Sequence, residues 1–254
     1  MAGTAVRRRL TWALGRVVEL KDQSPRARSL FLDVPDWPRE LQRAGQHVDV
    51  RLTAPDGYQA QRSYSIASAP GQDLLELTVE RLADGEVSPY LTEILATGDQ
   101  LELRGPVGGW FAWGPELGGP LLLVAGGSGV VPLVAIARQR AALAAPVPAT
   151  LLYSSRTWND VLFKDELTRL AAGPDPLEVV HTLTREAPAG WTGRTGRVGA
   201  ATLAELSPPG RPDDGRIAYV CGPTSFVEVV ASALATAGWP AHQVRTERFG
   251  PTGT

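Results

Sequence analysis

The chain has 254 residues, of which 43% are hydrophobic and 20% charged, and its formal net charge is −2. This length suffices for two domains with separate cores, and the near-neutral charge argues against nucleic-acid binding, which requires a strongly basic surface. No apolar run reaches the length of a membrane span, so we expect none. Cys221 is the only cysteine and the three histidines lie far apart, so we expect a cytoplasmic protein without a disulfide, metal site or iron–sulfur cluster. Any redox chemistry must then come from a bound organic cofactor.

Short strands separated by turn residues dominate the first hundred residues. The strand His47–Leu52 alternates polar with apolar side chains, and Ala54-Pro55-Asp56-Gly57 predicts a turn because proline presets φ and glycine accepts a positive φ. The predicted strands are Trp12–Leu20, Ser29–Val34, His47–Leu52, Gln61–Ala67, Asp73–Arg81 and Gln100–Arg104, with a turn at Asp22–Pro25 and a helix at Ser88–Ala96. This spacing predicts a small antiparallel β-barrel or a sandwich.

The segment Gly105–Pro120 is rich in glycine, proline and tryptophan and is the best candidate for a domain boundary. We predict two domains, 1–112 and 113–254. Beyond the boundary, strands alternate with helices, which predicts βαβ units and a doubly wound parallel sheet. The predicted strands are 121–125, 149–154, 177–182, 216–221 and 243–247, and the helices are 130–143, 162–171 and 223–237, with a loop and a short helix in 184–206.

A glycine-rich turn follows the first strand of the predicted C-terminal domain. Leu121–Ala125 is an unbroken apolar run, which predicts burial on both faces. The turn Gly126-Gly127-Ser128-Gly129 comes next, and Pro132 suits the first turn of the helix that follows. A strand, a glycine turn and a helix N-terminus together predict an anion site for a dinucleotide diphosphate. The alternative is a turn that binds nothing, because the third glycine of G-x-G-x-x-G is missing.

A second apolar strand, Arg216–Cys221, ends in Cys221-Gly222-Pro223 and leads into a helix. Ligands of an open α/β sheet bind at the carboxyl ends of its strands, which predicts that Cys221 lies near the reactive end of a nucleotide. The alternative is an inert buried thiol.

Six short motifs follow one another along most of the chain. They are Arg62-Ser63-Tyr64-Ser65, Gly85-x-Val87-Ser88-x-Tyr90-Leu91, Gly98-Asp99, Gly105-Pro106-x-Gly108, the GGSGVVP turn and Cys221-Gly222-Pro223. In this order, from about Trp12 to Phe249, they resemble the ferredoxin–NADP reductase superfamily. The resemblance implies an N-terminal antiparallel β-barrel that holds a flavin, FAD rather than FMN, and a C-terminal doubly wound domain that holds NAD(P)H.

The resemblance also implies roles for the residues of the first motif. Arg62 would pair with the flavin diphosphate through its planar fork. Ser63 belongs to the same flavin-binding strand, Tyr64 would pack against the isoalloxazine ring, and the hydroxyl of Ser65 would reach the region of flavin N5. The alternative for this motif is an ordinary β-strand with an exposed arginine.

Three further residues are assigned to the flavin by the resemblance. Val87 and Ser88 would cover phosphate oxygens at a helix N-terminus. Trp110 would cover the outer part of the flavin, although an alternative is that Trp110 and Trp113 only pack at the domain interface.

The coenzyme and the reacting atoms are placed by the same resemblance. Gly126, Gly127, Gly129, Gly222 and Pro223 would contact the coenzyme. Ser65, Cys221 and Glu247 would line the junction of nicotinamide and flavin. Phe249 would stack on the flavin face that the nicotinamide must reach. This chain continues past that aromatic, which leaves the role of the tail Gly250–Thr254 open.

Ser155 and Arg156 follow the predicted strand 149–154, where the adenosine ribose of a dinucleotide lies. An acidic residue here holds a 2′-hydroxyl, whereas arginine accommodates a 2′-phosphate, and positions 153–158 contain no Asp or Glu. The sequence therefore favours NADPH over NADH, with Arg185 as a possible assistant; the alternative is a solvated arginine at 156.

The expected activity is that of an NAD(P)H-dependent flavoprotein reductase. It would transfer a hydride to flavin N5 and pass single electrons to a separate protein, with free flavin or quinone as further candidates. The candidate proteins are a ferredoxin and a Rieske-type or haem oxygenase component. A subunit that binds nucleotide and flavin for sensing or docking, without turnover, is the alternative.

Overall fold

The computed structural model describes residues 10–144, 147–206 and 215–250, which form two sheets. The first sheet consists of β1 (Trp12–Ser24), β2 (Ala27–Asp33), β3 (His47–Thr53), β4 (Gln59–Ser65), β5 (Leu75–Glu80) and β6 (Gln100–Val107). The second consists of β7 (Leu121–Gly126), β8 (Ala149–Thr157), β9 (Glu178–Glu186), β10 (Arg194–Thr195), β11 (Ile217–Pro223) and β12 (Val244–Phe249). The α-helices are α1 (Val130–Ala142), α2 (Lys164–Ala171), α3 (Ala200–Leu206) and α4 (Thr224–Thr236). Shorter helical turns are Arg39–Leu41, Tyr90–Ile94, Pro115–Leu117, Gly127–Gly129, Trp158–Asp160 and Ala241–Gln243.

The N-terminal sheet is antiparallel, with the strand order β4-β3-β6-β1-β2-β5. An isolated antiparallel bridge between Ile66 and Leu77 joins the two ends of this order, β4 and β5. Leu30, Leu77 and Leu103 are fully buried inside, as the alternation of their strands predicts. The structure confirms the predicted antiparallel β-barrel.

The C-terminal sheet is parallel, with the order β10-β9-β8-β7-β11-β12. All six residues of the central strand β7 are buried, which agrees with its unbroken apolar sequence. Apolar residues of α1 and α2 pack on one face of the sheet and those of α3 and α4 on the other. The structure confirms the predicted doubly wound domain. Within the described ranges, no helix is both long and apolar enough to cross a membrane.

Two predicted elements of the barrel differ from the structure. The turn predicted at Asp22–Pro25 is shorter, because β1 runs to Ser24, which pairs with Ala27 in a tight hairpin. The helix predicted at Ser88–Ala96 ends at Ile94, and Tyr90–Ile94 form a π-helical turn in which the N–H of Leu95 bonds to the carbonyl of Tyr90.

The C-terminal domain also corrects some predicted boundaries. α2 begins at Lys164 rather than at residue 162, because Phe163 adopts a left-handed backbone conformation with φ of 57°. β8 continues through Arg156, and β9 continues through Arg185, so both arginines lie on strands rather than on loops. β12 extends to Phe249, which pairs with Pro223 in the parallel register.

Trp113 anchors the segment that connects the two sheets. Trp113 is fully buried, forms an isolated bridge with Ala44 and donates from Nε1 to the carbonyl of Gly118 at 3.1 Å. Phe111 packs in the same hydrophobic cluster as β7 and α1. The domain boundary at 112/113 falls inside this connection and stays a prediction.

Candidate functional site

Two cavities lie next to each other between the sheets. The first, called the barrel cavity, has a volume of about 450 Å³ and follows β4 and the segment from Leu82 to Ser88. The second, called the sheet cavity, has a volume of about 480 Å³ and lies at the carboxyl ends of β7, β8 and β11. The residues that border both cavities are Glu80, Leu82, Ser128, Phe249 and Gly250. The two cavities are therefore halves of one cleft.

The motif on β4 forms one wall of the barrel cavity. Its members Arg62, Ser63, Tyr64 and Ser65 all border the cavity. Arg62 is exposed, and its guanidinium donates to the carbonyl of Gln61 at 2.7 Å and to Glu86 at 3.2 Å. Burial raises the pKa of Tyr64 to about 12, so its phenol stays neutral at physiological pH. This wall therefore combines a tyrosine side chain with an exposed cation.

Val87 and Ser88 form the adjoining part of the barrel cavity, and both are buried. The hydroxyl of Ser88 accepts a hydrogen bond from the N–H of Leu82 at 3.0 Å, which holds the preceding loop against the start of the helical turn. Among the described residues, no side chain caps this turn. The start of this turn therefore lies at the barrel cavity without a side-chain cap, and the predicted phosphate contacts of Val87 and Ser88 stay a prediction.

The glycine turn forms the floor of the sheet cavity. Gly126 and Gly127 border the cavity, and Gly127 has a φ of 56°, which favours glycine. No described side chain caps the N-terminus of α1 that follows. Gly129 does not border the cavity; a Cβ there would collide with the carbonyl of Cys221, so glycine is needed for the approach of this turn to β11. The backbone and the helix dipole therefore favour an anion at this turn.

Strands β8 and β11 supply the other predicted coenzyme contacts. Ser155, Arg156 and Pro223 border the sheet cavity, whereas Gly222 does not. A Cβ on Gly222 would collide with the ring of Phe226, so Gly222 provides space for that ring.

Phe249 lies where the two cavities meet. It is the last residue of β12, it borders both cavities, and 36% of its surface is exposed. Gly250 borders both cavities as well, while the rest of the predicted tail, 251–254, lies outside the described residues.

Cys221 and Glu247 are direct partners in the register of β11 and β12. Neither borders the two cavities. Burial, followed by the nearby charge of Glu247, raises the pKa of the Cys221 thiol well above its usual range. Burial also raises the pKa of Glu247 to about 7. The thiol thus stays protonated at neutral pH, whereas the carboxyl group can exchange a proton there.

His47 is a site residue that the sequence did not reveal. Its Nδ1 lies 4.0 Å from Oε1 of Glu247, and its backbone pairs with Ser65 across β3 and β4. Burial lowers the pKa of His47. The pairing of β3 with β4 could have shown that His47 neighbours Ser65. Thr53 pairs with Gln59 around the turn, and counting outward from this pair along both strands places His47 opposite Ser65.

Glu80 is a second residue that sequence reasoning missed. Its Oε1 lies 3.0 Å from Nη2 of Arg156, which donates to it, and 3.7 Å from Nη2 of Arg26. The carboxylate belongs to the barrel and Arg156 to the parallel sheet, so no local sequence pattern predicts their contact.

Trp110 borders neither cavity. It is 59% exposed, and the guanidinium of Arg245 lies 5.3 Å from the centre of its ring. Arg245 also donates to the carbonyl of Ala112 at 2.7 Å. The contact agrees with the interface alternative for Trp110 and Trp113, and the predicted flavin contact of Trp110 stays a prediction.

Comparison with known proteins identifies the family. Residues 15–111 match the model of the oxidoreductase FAD-binding domain, and residues 123–232 match that of the oxidoreductase NAD-binding domain. The chain is 35% identical over 239 residues to ferredoxin–NADP reductase B of Sorangium cellulosum (strain So ce56), a match that covers 92% of this chain and 96% of that protein. The chain belongs to the ferredoxin–NADP reductase superfamily. The motif-based resemblance is thereby confirmed.

Other members of the superfamily are similar along most of this chain. The ferredoxin reductase component of 3-ketosteroid-9-alpha-monooxygenase from Mycobacterium tuberculosis (strain CDC 1551 / Oshkosh) is 34% identical over 244 residues. That match covers 92% of this chain and 64% of that protein, so the chain spans less than two thirds of that relative. The crystal structure of the Amycolatopsis cytochrome P450 reductase GcoB superposes with a TM-score of 0.83 at 28% identity, covering 96% of this chain and 71% of that one.

Proposed function

We propose that this chain is an NAD(P)H-dependent flavoprotein reductase that passes single electrons to a separate protein. One observation carries the proposal: Phe249 lies between a cavity walled by Arg62, Tyr64 and Ser65 and a cavity floored by a glycine turn. A flavin ring in the first cavity and a nicotinamide entering from the second would meet at this residue. The matches to FAD-binding and NAD-binding domain models support FAD and a pyridine nucleotide as the two occupants.

The barrel residues would hold and orient the flavin, which when bound supplies the conversion of a hydride from NAD(P)H into single electrons. Arg62 would pair with its diphosphate, since the exposed guanidinium can exchange Glu86 for a phosphate. Tyr64 would support the ring, and Ser65 at the end of β4 would donate to N5. Val87 and Ser88 would cover phosphate oxygens.

The parallel sheet would bind the coenzyme. Gly126 and Gly127 leave room for the diphosphate at the N-terminus of α1. The backbone next to this position would be formed by Gly129, Gly222 and Pro223. Ser155 and Arg156 border the part of the cavity where the adenosine would lie. A guanidinium there supports a preference for NADPH over NADH.

The residues near the meeting point of the two cavities would control the access of the nicotinamide to the flavin and the supply of a proton. Phe249 would cover the flavin until the nicotinamide displaces it, which also limits the entry of water. Glu247, with a pKa of about 7, can hold or release a proton beside His47. Cys221 would contribute the packing of a neutral, buried thiol beside Glu247.

The acceptor of the single electrons is proposed to be a separate protein. Support for this comes from the proteins to which this chain is similar. Its relatives include a ferredoxin reductase component of a monooxygenase and a cytochrome P450 reductase. A ferredoxin, or a Rieske-type or haem oxygenase component, is therefore the proposed partner.

Stopped-flow spectroscopy under anaerobic conditions tests the proposal. The purified protein should be yellow, contain one flavin per chain, and lose its flavin absorbance rapidly when mixed with NADPH and less efficiently with NADH. Reduced protein should then pass electrons to an added ferredoxin or artificial dye. A protein that cannot be loaded with flavin would refute the proposal, and a flavin that is not reduced would favour the sensor alternative.

A further inference from the structure

Glu80, the last residue of β5, borders both cavities. Its Oε1 accepts a hydrogen bond from Arg156 at 3.0 Å, and its Oε2 lies 3.9 Å from the position that a Cβ on Gly127 would take. The carboxylate therefore lies beside the glycine turn and also pairs with the arginine proposed to bind the 2′-phosphate of the coenzyme.

Arg156 is the closer of the two cationic partners of Glu80. Arg26 lies 3.7 Å from Glu80 but 3.1 Å from Asp160, which the N–H and hydroxyl of Thr157 hold at 3.2 and 2.9 Å. The side chains of Arg156 and Glu80 are 37% and 23% exposed, so a ligand in the sheet cavity can reach the pair. A phosphate that binds Arg156 must displace Glu80 or share the guanidinium with it.

The charge of Glu80 acts on a coenzyme in two ways. It engages a donor that would otherwise be available to a phosphate, and it repels a phosphate at short range. Both effects are larger for NADP, which carries an additional phosphate group, than for NAD.

We propose that Glu80 is a specificity-determining residue of the coenzyme site. Its carboxylate competes with the 2′-phosphate for Arg156 and thereby narrows the preference for NADPH that Arg156 creates. This inference rests on the proposed function, in which Arg156 binds the 2′-phosphate.

Equilibrium binding of NADP⁺ and NAD⁺ to the flavin-loaded protein, measured by calorimetry, tests the inference. The variants are Glu80→Gln, which removes the charge and keeps the shape, Arg156→Gln, and the double variant. We expect Glu80→Gln to tighten NADP⁺ binding about two- to fivefold, the effect of a partly exposed ion pair, and NAD⁺ binding by less. In the Arg156→Gln background this gain should become smaller, because the competition for the guanidinium is lost and only the direct repulsion between Glu80 and the phosphate remains.

Two further variants serve as controls. Glu102→Gln removes a carboxylate of similar exposure that pairs with Arg51 away from both cavities, and it should leave the affinity for either coenzyme unchanged. Glu80→Asp keeps the charge but shortens the side chain, so its gain should be intermediate. It also provides a second measurement if Glu80→Gln loses flavin.

The possible failures are distinguishable. If Arg156→Gln weakens NADP⁺ binding but Glu80→Gln does not tighten it, or tightens it equally in both backgrounds, the inference about Glu80 is overturned and the proposed function stands. If Arg156→Gln changes the affinity for neither coenzyme, both the NADPH preference and the inference are overturned.

Discussion

Arg138 in α1 donates a hydrogen bond to Glu76 in β5, so a guanidinium of the parallel-sheet domain neutralises a buried carboxylate of the barrel. The same guanidinium donates to the carbonyl of Ala67 at 2.8 Å and forms two hydrogen bonds of 2.6 Å with Glu166. Ser29, on the neighbouring strand β2, donates to Glu76 at 2.9 Å. Because α1 begins at the glycine turn, this contact helps to position that turn relative to the barrel cavity.

Replacing Arg138 should therefore destabilise the protein. Arg138→Met leaves Glu76 charged and buried without its cation, which costs about 3–5 kcal/mol. We expect a lower midpoint of thermal or urea unfolding, and a partial recovery in the double variant Arg138→Met/Glu76→Gln, which removes the unpaired charge. An unchanged midpoint in Arg138→Met would show that the ion pair does not hold the domains together.

Replacing Arg62 should weaken flavin binding without weakening the fold. Arg62→Ala removes a charge-assisted hydrogen bond to the diphosphate, a loss of about 1.5–3 kcal/mol or roughly 10- to 150-fold in affinity. Fluorescence titration of flavin-free protein with FAD measures the change. Arg39→Ala is the control, since Arg39 is a half-buried arginine that donates to the carbonyl of Asp73 and borders neither cavity. Equal affinities of Arg62→Ala and Arg39→Ala would mean that Arg62 does not contact the flavin.

Truncating Phe249 should tighten the binding of NADP⁺. In the proposed function its ring covers the flavin and must move for a nicotinamide to approach, and moving a partly buried aromatic side chain costs on the order of 1–2 kcal/mol. Phe249→Ala removes that cost, so the affinity should rise about five- to thirtyfold, as measured by difference absorption of the flavin. Phe249→Tyr keeps the ring and should bind like the wild type. A Phe249→Ala variant whose affinity does not rise would argue that the ring does not cover the flavin.

Glu247 should make stability depend on pH. Burial raises its pKa from 4.5 to about 7 in the folded protein, so between these values the folded state binds more protons than the unfolded state. The free energy of unfolding must then fall as pH rises through this window, by at most about 3 kcal/mol. Glu247→Gln should remove this fall.

The measurement is the difference in unfolding midpoint between wild type and Glu247→Gln, followed across that pH window. Burial lowers the pKa of His47, whose contribution has the opposite sign, but His47 is present in both proteins and largely cancels in the difference. A difference that stays constant with pH would contradict the raised pKa of Glu247.

Several parts of the site could be predicted because each lies within a few consecutive residues. The β4 motif places Arg62, Tyr64 and Ser65 along one cavity, and the glycine turn lies between β7 and α1, where the apolar run and the helical pattern required it. Predicted strand ends were less accurate: β8 extends past Arg156 because its pairing with β9 continues to Glu186, and no local signal reports that pairing.

The sequence by itself determined the two-domain architecture, the family and the local motifs, because hydrophobic periodicity and turn chemistry act over neighbouring residues. Only the tertiary structure decided which charges meet: Glu80 with Arg156, Arg138 with Glu76, and His47 with Glu247. Each of these pairs joins the barrel to the domain that contains the parallel sheet. Such contacts depend on how two separately folded cores pack together, and no spacing along the chain encodes that packing.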